Sequence, residues 1–291
     1  MTKIAELLAD GRSVSIELWP PRNPEAARRL DEALEALVER LQPTFCSITY
    51  GAGGSTRERT HELVVAIEEA GETEPMAHLT CAAHRREELA AILTRYGEAG
   101  VENVLALRGD PPLDSPEALA HGELSHAIEL VELAREVGDF SVAVAAHPDG
   151  HPMSPDLTSD RRFLAEKLRL ADFAITQFFF ESSSYVALVD ELERGGIDKP
   201  VIPGILPVTN ARTLSRMAEM SGAAVPHELA RRIGEVAEHP DEVRRIGVEV
   251  ATRLGDDLLQ AGAPGLHFYT MNVAAATIEV CENLGLSAGR P

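Results

Sequence analysis

A chain of 291 residues, 44% of them hydrophobic and 25% charged, is long enough to bury one large core and has the composition of a globular protein. Its formal net charge of -20 repels nucleic acid and anionic lipid, and no run of Lys and Arg offsets that charge, so we exclude both as partners. Three cysteines without CxxC spacing, and no apolar run typical of a signal peptide or a membrane span, predict a cytoplasmic protein with reduced thiols.

Short runs rich in β-branched and apolar residues recur along the chain and predict strands. These eight runs are residues 13–18, 45–49, 76–80, 101–107, 141–146, 173–177, 200–205 and 266–270. Amphipathic stretches separate them; in residues 24–41, for example, apolar side chains repeat near the period of a helix. Alternating strands and helices favour a parallel sheet, and eight such units close into a barrel. We therefore predict an α/β fold, a single-domain (β/α)8 TIM barrel over residues 1–291.

The interval between the seventh and eighth predicted strands is the longest. Its amphipathic stretches, residues 211–222, 226–239 and 240–263, predict the barrel helix and extra helices before the eighth strand. The longest irregular connection is residues 108–125, and a long loop on the active face of a barrel is typical of a lid or binding element. The sequence favours neither a monomer nor a homo-oligomer.

Polar residues follow or end nearly every predicted strand. In TIM barrels the chemistry takes place at the carboxyl ends of the strands, so these side chains are candidates for one site. They are Glu17, Thr49, His78, Arg108, Gly109, Asp110, His147, Gln177, His267 and Tyr269. Each has a structural alternative, such as an ion pair at the rim for Glu17 or a satisfied interior amide for Gln177. Their position on one rim favours a common functional site.

Two other patterns point less directly to chemistry. The glycine-rich residues 51–56 lack the lysine of a P-loop and predict either a tight turn or close backbone approach to a flat ligand. Several histidines, together with Asp110, offer metal-ligating atoms. The His-x-His pair that metal-dependent barrel hydrolases usually carry early in the chain is missing, so we predict no metal site.

At these strand ends the sequence resembles the methylenetetrahydrofolate reductase family. The matching segments, in family order, are residues 15–21 (SIELWPP), 47–56, 78–81 (HLTC), 107–110 (LRGD), 145–152, 175–180, 203–210 and 267–272. The resemblance implies an eight-stranded α/β barrel with small-molecule substrates. It also implies reduction of 5,10-methylenetetrahydrofolate to 5-methyltetrahydrofolate in one-carbon metabolism, with NADH or NADPH as the hydride donor.

The resemblance also implies roles for single residues. Glu17 matches the family's general acid, which protonates the folate so that its five-membered ring opens to an iminium. Burial beside Trp19 is expected to raise the pKa of Glu17. Asp110 matches the acid that recognises the pterin and stabilises positive charge, and Gln177 matches the amide that binds the pterin edge. We predict these three as the catalytic residues.

The resemblance assigns further residues to the two ligands. The substrate-binding set is Thr49, Asp110, Gln177, Phe178, His267 and Tyr269. The cofactor-binding set is Thr49, His78, Arg108, Gly109, His147, Lys167 and Ile175.

The chain departs from the family members that bind FAD. His147 replaces an aromatic neighbour of the flavin, Phe163 replaces an asparagine, and Glu166 replaces an arginine that faces the flavin pyrophosphate. An anion beside a diphosphate repels it. The sequence therefore predicts that FAD is absent and that the nicotinamide gives its hydride directly to the folate in a ternary complex, resembling flavin-independent actinobacterial members. The alternatives are an FAD-containing reductase with ping-pong kinetics and a non-catalytic folate-binding barrel.

Overall fold

The computed structural model describes residues 2–51, 56–109 and 122–286. The strands in these ranges are β1 (Ser13–Leu18), β2 (Phe45–Ile48), β3 (Glu74–Thr80), β4 (Asn103–Leu107), β5 (Ser141–Ala146), β6 (Phe173–Thr176), β7 (Val201–Ile202), β8 (Gly204–Ile205) and β9 (Gly265–Tyr269). The helices there are α1 (Ile4–Leu7), α2 (Pro24–Leu41), α3 (Arg57–Ala70), α4 (Arg86–Glu98), α5 (Ala127–Val137), α6 (Leu157–Leu168), α7 (Ser182–Arg194), α8 (Ala211–Ser221), α9 (His227–Glu235), α10 (Pro240–Gln260) and α11 (Ala274–Asn283).

The strands form one parallel sheet that curls into a nearly closed barrel. Their order is β7-β6-β5-β4-β3-β2-β1-β9-β8, so strands that follow each other in the chain are neighbours in the sheet, except β7 and β8 at its two ends. The predicted TIM barrel is confirmed. The assignment of the whole chain to a single domain stays a prediction.

The predicted seventh strand differs from the structure because it is interrupted at Pro203. Its first half, β7, pairs with β6 through Ala174 and Val201, and its second half, β8, pairs with β9 through Gly204 and His267. Proline has no backbone N–H to donate, but the Pro203 carbonyl accepts a hydrogen bond from the His267 amide at 3.0 Å. One interrupted strand therefore joins the two ends of the sheet.

The amino-terminal end of the barrel is covered by α1. The backbone amide of Ile4 donates to Asn103 Oδ1 at 2.8 Å, and that of Ala5 donates to Ser141 Oγ at 3.2 Å. Asn103 and Ser141 are the first residues of β4 and β5. Ile4 packs against Phe45 and other apolar side chains inside the barrel. Since this end is filled by a packed apolar cluster, the open carboxyl ends of the strands are left for a site.

The helices form the outer layer, as the periodicity predicted. Helix α2 begins after Asn23, whose side chain accepts a hydrogen bond from the Ala26 amide, and Pro24 occupies its first turn. The three helices α8, α9 and α10 before the last strand confirm the predicted extra helices. Their apolar faces share a small core of their own around Leu214, Leu229 and Val243. None of the described helices is both long and apolar enough to cross a membrane.

Gly204 lies where the two sides of the closure come closest. A Cβ atom there would lie 2.4 Å from the carbonyl oxygen of Thr176 and 2.5 Å from Cε2 of Tyr269. Gly204→Ala would force β8 away from β6 and β9. We expect it to lower the free energy of unfolding by about 2–3 kcal/mol, as overpacked cores do, in a denaturant titration.

Gly234→Ala is the matched control. Gly234 lies on α9, and apart from the adjoining backbone of its own helix no described atom lies within 4 Å of a Cβ built there. Because alanine has the higher helix propensity, this change should leave the free energy of unfolding unchanged or raise it by up to about 1 kcal/mol. Equal stability of the two variants would contradict the tight closure at Gly204.

Candidate active site

The polar side chains at the carboxyl ends of β1, β3 and β9 meet inside the mouth of the barrel. Glu17 pairs in register with Tyr269 on the neighbouring strand β9. Its Oε2 atom lies 3.9 Å from Nε2 of His78, which projects from β3 across the intervening strand β2. The structure therefore brings together three residues that were predicted to share one site because each lies near the carboxyl end of a strand, a pattern called here the strand-end rule.

Glu17 is a buried acid whose pKa is close to neutral. Its residue surface is 8% exposed, and burial raises the pKa of the carboxyl group from 4.5 to about 7. The indole Nε1 of Trp19 donates a hydrogen bond to Oε1 at 2.9 Å, and this bond lowers the pKa. The expected rise in the pKa of Glu17 is present, but the Trp19 side chain opposes it because its N–H stabilises the carboxylate. A carboxyl group with this pKa can both hold and release a proton near pH 7.

His78 has an imidazole nitrogen that no described residue satisfies. The Nε2 atom is buried without a hydrogen-bond partner among the described residues, and so is the hydroxyl of Thr80 two residues later on β3. Burial lowers the pKa of His78 to about 3, so the ring is neutral at pH 7. Buried polar groups are rarely left unpaired, so these two atoms are available to a ligand in the mouth.

His267 and Tyr269 occupy successive inward positions on β9. His267 is 1% exposed, and its Nδ1 lies 2.9 Å from Ser15 Oγ. Its ring stacks on Phe45 in the barrel interior. Tyr269 lies one level higher, partly exposed, and its hydroxyl donates to the carbonyl of Thr176 at 2.7 Å. Tyr269 therefore lines the mouth, whereas His267 lies in the layer beneath it.

The carboxyl end of β6 supplies Gln177 and Phe178. Gln177 is partly exposed, and its Oε1 accepts a hydrogen bond from the Phe178 amide at 3.0 Å, which leaves the amide NH2 group directed elsewhere. Phe178 is buried and makes an edge contact with Tyr269. Ile175, two residues before Gln177, is buried in the apolar layer of the barrel interior. Only Gln177 of these three presents a polar group near the mouth.

A cavity of about 490 Å³ opens beside the carboxyl ends of β4 and β5. It is lined by Arg108, His126, Ala127, Ile128, Ala145, Ala146, His147, His151, Met153, Ser154, Asp160, Phe163, Leu164, Glu166 and Lys167. Three of the residues predicted to bind the cofactor, Arg108, His147 and Lys167, are in this lining. The strands β4 and β5 are three and four strands away from β1 in the sheet, which places the cavity across the barrel from Glu17.

Lys167, one of the cations that line this cavity, is partly desolvated. Lys167 Nζ donates to the carbonyl of Ala145 at 2.7 Å, and burial lowers its pKa to about 8. His147 is neutral at pH 7, because burial, followed by the charges of His151, Lys167 and Arg161, lowers its pKa to about 3. His147 in this wall is therefore uncharged, whereas Lys167 keeps most of its positive charge at pH 7.

The two substitutions noted in the sequence, Phe163 and Glu166, lie in the wall of this cavity. Phe163 is 43% exposed, and the guanidinium of Arg162 lies 5.1 Å from the centre of its ring. The side chain of Glu166 is exposed. An exposed aromatic ring and a carboxylate thus occupy the wall next to Lys167.

Some predicted residues have other placements. Thr49 is partly exposed after β2, and its amide donates to the Leu18 carbonyl at 3.0 Å. Gly109 has φ 82, and a Cβ there would lie 2.7 Å from that of Thr80, so glycine is required beside β3. Asp110, residues 52–55 of the glycine-rich segment and residues 110–121 of the predicted lid lie outside the described residues. Within the described ranges no cluster of three potential metal ligands occurs.

The sequence did not predict the support behind Glu17. Asn272 binds both backbone groups of Trp19: Oδ1 accepts from its N–H at 2.8 Å, and Nδ2 donates to its carbonyl at 2.9 Å. Thr270 Oγ1 donates to the Glu17 carbonyl at 2.7 Å. The only signal in the sequence was the TMN that closes the last matching segment, residues 267–272.

The family profile and the bacterial relatives carry one description. The profile of the family Methylenetetrahydrofolate reductase matches residues 2–285. The chain is 36% identical over 285 residues to the 5,10-methylenetetrahydrofolate reductase of Pectobacterium carotovorum subsp. carotovorum, covering 97% of this chain and 93% of that protein. It is 35% identical over 280 residues to the Escherichia coli K12 protein of that name, covering 95% of this chain and 92% of that protein.

Two further similarities extend this comparison. A protein of Oryza sativa named Probable methylenetetrahydrofolate reductase (NADH) is 34% identical over 298 residues, covering 98% of this chain but 50% of the rice protein. A Clostridium thermocellum structure described as binding two copies of 5-methyl-5,6,7,8-tetrahydrofolic acid superposes with a TM-score of 0.70 at 14% identity, covering 97% of this chain and 96% of that one. At that identity the second likeness supports the barrel fold alone.

The burial of Glu17 makes the stability of the fold depend on pH. Its pKa is 4.5 when exposed and about 7 in the folded protein, so the folded state holds the proton more tightly. The stability due to Glu17 is then fully present below pH 4.5 and is lost as the pH rises to about 7. The shift corresponds to roughly 3 kcal/mol. Glu17→Gln, which stays uncharged, should escape this loss.

Denaturant unfolding at pH 4.5 and at about pH 8 measures the difference. Relative to Glu17→Gln, the wild-type protein should lose roughly 3 kcal/mol between the two conditions. Glu98→Gln, at an exposed position on α4, is the control and should follow the wild type. A constant difference between the wild type and Glu17→Gln at both pH values would show that Glu17 titrates as an exposed acid.

Proposed function

Because the chain belongs to the methylenetetrahydrofolate reductase family, we propose that it reduces 5,10-methylenetetrahydrofolate to 5-methyltetrahydrofolate with a hydride taken directly from NADH or NADPH. The observation that carries the proposal is the buried carboxyl group of Glu17, whose pKa is about 7. A general acid works best when its pKa is near the operating pH. A fully solvated glutamate would hold too few protons at pH 7 for this role.

Glu17 donates the proton that opens the folate ring. The proton goes to a nitrogen of the methylene bridge, the bond from that nitrogen to the bridging carbon breaks, and an iminium cation forms. The hydride then adds to that carbon and leaves a methyl group on the other nitrogen. The Glu17 carboxylate recovers its proton from solvent. The neutral His78, on the side of Oε2, adds no positive charge beside the cation.

The folate is proposed to lie between Glu17 and the carboxyl end of β6. Gln177 offers its NH2 group to the pterin edge, since its Oε1 is already used by the Phe178 amide. Tyr269 provides an aromatic wall between β1 and β8, where its hydroxyl is held by the Thr176 carbonyl. Asp110, by its match to the family pattern, is proposed to stabilise the iminium.

The nicotinamide dinucleotide is proposed to occupy the cavity beside β4 and β5. The cavity volume of about 490 Å³ lies within the range of small-molecule sites, and it lies across the barrel from Glu17. Lys167 and Arg108 supply positive groups to this wall, and His147 supplies a neutral polar ring. A folate in the mouth would then have the proton donor on one side and the hydride donor on the other.

The same wall lacks the two side chains that hold FAD in the family members that bind it. Glu166 places an exposed carboxylate next to Lys167, so the cavity has an anion where an arginine of the FAD-binding members faces the diphosphate. Phe163 offers no hydrogen-bonding group in place of an asparagine amide. We therefore propose no step through a flavin. Holding both reactants face to face then supplies up to about 7–11 kcal/mol of the barrier reduction.

Freedom from flavin is tested by the spectrum of the purified protein. It should be colourless, and a denatured extract should contain no FAD. Steady-state rates with the folate and either NADH or NADPH as varied substrates should give intersecting reciprocal plots, because both reactants bind before hydride transfer. A yellow protein with stoichiometric FAD and parallel plots would establish the ping-pong alternative. Folate binding without oxidation of NADH or NADPH would establish a non-catalytic barrel.

The role of Glu17 is tested by Glu17→Gln, which keeps the shape of the side chain and removes the proton. We expect kcat to fall by about 10²–10⁴, the usual contribution of a general acid. The dissociation constant for the folate, measured by equilibrium titration, should stay within a few-fold of that of the wild type. Glu98→Gln, exposed and distant on α4, should retain full turnover. Undiminished turnover of Glu17→Gln would disprove the assignment.

A further inference from the structure

In the hydrogen bond between Trp19 and Glu17, the indole can only be the donor. The indole N–H is a donor and never an acceptor, so it needs a lone pair on Oε1, 2.9 Å away. A neutral carboxyl group carries its proton on one oxygen and accepts hydrogen bonds best on the other. With Oε1 used as the acceptor, the proton belongs on Oε2, the oxygen that lies 3.9 Å from His78.

The position of Trp19 is fixed by the loop after β9. The side chain of Asn272 binds both the N–H and the carbonyl of Trp19. Asn272 and the preceding Met271 have φ of 57 and 54, a left-handed conformation that costs energy in a non-glycine residue. The backbone amide of Asn272 also donates to Thr270 Oγ1, and the Thr270 hydroxyl donates to the Glu17 carbonyl. The strained turn therefore holds the backbone of both residues of the Glu17–Trp19 hydrogen bond.

We propose that Trp19 is a positioning residue, which orients the Glu17 carboxyl group so that its acidic proton lies on Oε2, on the side of His78. This inference rests on the proposed function of Glu17 as the proton donor. Without the indole N–H, the carboxyl group rotates and its proton is shared between the two oxygens, so fewer encounters with the folate are productive.

The surroundings of Glu17 make this contact measurable. The described titratable groups that face it are His78 from β3 and Tyr269 and, one layer lower, His267 from β9, whereas β2 contributes no titratable side chain there. Both histidines have their pKa lowered to about 3 by burial. The pKa of Tyr269 is raised well above 10, first by burial and then by the charge of Glu17. Of these groups, Glu17 therefore titrates near pH 7, whereas Lys167, with a pKa of about 8, lies in the cavity across the barrel.

The decisive variant replaces one N–H group by a sulfur atom and leaves the rest of the side chain unchanged. Trp19 is the only tryptophan in the chain, so growth of a tryptophan auxotroph on 3-benzothienylalanine replaces that side chain alone, with sulfur in place of the N–H. We expect kcat to fall about tenfold, while KM for the folate stays within about twofold. Because the hydrogen bond lowers the pKa of Glu17, the loss of activity at high pH should move upward by about 0.5–1 pH unit.

A second measurement needs no turnover. The fluorescence of the single tryptophan in the unmodified protein should change with pH around a midpoint near 7, because its hydrogen-bond partner ionises. The change should vanish in Glu17→Gln and persist in Glu98→Gln. A midpoint that is unaltered in Glu17→Gln would overturn the contact, whether or not the protein reduces folate.

The outcomes separate this inference from the proposed function. Reduction of folate by the sulfur analogue with the kcat and pH profile of the unmodified protein would overturn the positioning role and leave the reductase assignment intact. An unmodified protein that reduces no folate would overturn the reductase assignment and, with it, the catalytic consequence proposed for Trp19. The fluorescence titration would then still decide the contact between the two side chains.

Discussion

The closure of the sheet at Pro203 is the constraint on which the rest of the structure depends. The Pro203 carbonyl accepts a bond from the His267 amide, while β7 on one side of it pairs with β6 and β8 on the other pairs with β9. Closure of a parallel sheet brings every strand's carboxyl end to one rim. Glu17, Gln177 and the cavity beside β5 therefore lie at one rim, although they are far apart in the chain.

Burial within that mouth gives an acidic protein a weakly charged site. The chain has a formal net charge of -20, yet His78 and His267 are neutral at pH 7 and Tyr269 keeps its proton. Glu17 lies close to half protonation. The same desolvation that costs stability at Glu17 keeps part of its carboxyl group protonated at pH 7. Electrostatic interactions are also stronger in such a medium than in water.

Much of the fold and the rim could be predicted from the sequence, because both depend on local patterns. Residues 24–41 carry the apolar period and the Asn23–Pro24 start of a helix, and the strand-end rule places Glu17 and Tyr269 together. The depth of a side chain does not follow from that rule: His267 and Tyr269 point inward alike, yet only Tyr269 reaches the mouth. The interruption at Pro203 and the two hydrogen bonds from the Asn272 side chain to the Trp19 backbone depend on tertiary contacts that no local pattern encodes.

The hydrogen bonds between Asn272 and Trp19 also have a consequence for the order of folding. Asn272 and Trp19 are 253 positions apart, and the first helix reaches its partners Asn103 and Ser141 only 99 and 136 positions later. Pairings so distant in the chain form slowly, because closing the long loop costs conformational entropy before the contact contributes any stabilising free energy. We expect the contact between the β1 segment and β9 to form only after β9 has emerged during synthesis. Until then Glu17 lacks the part of its burial that β9 supplies, so the raised pKa of its carboxyl group is expected to arise late in folding.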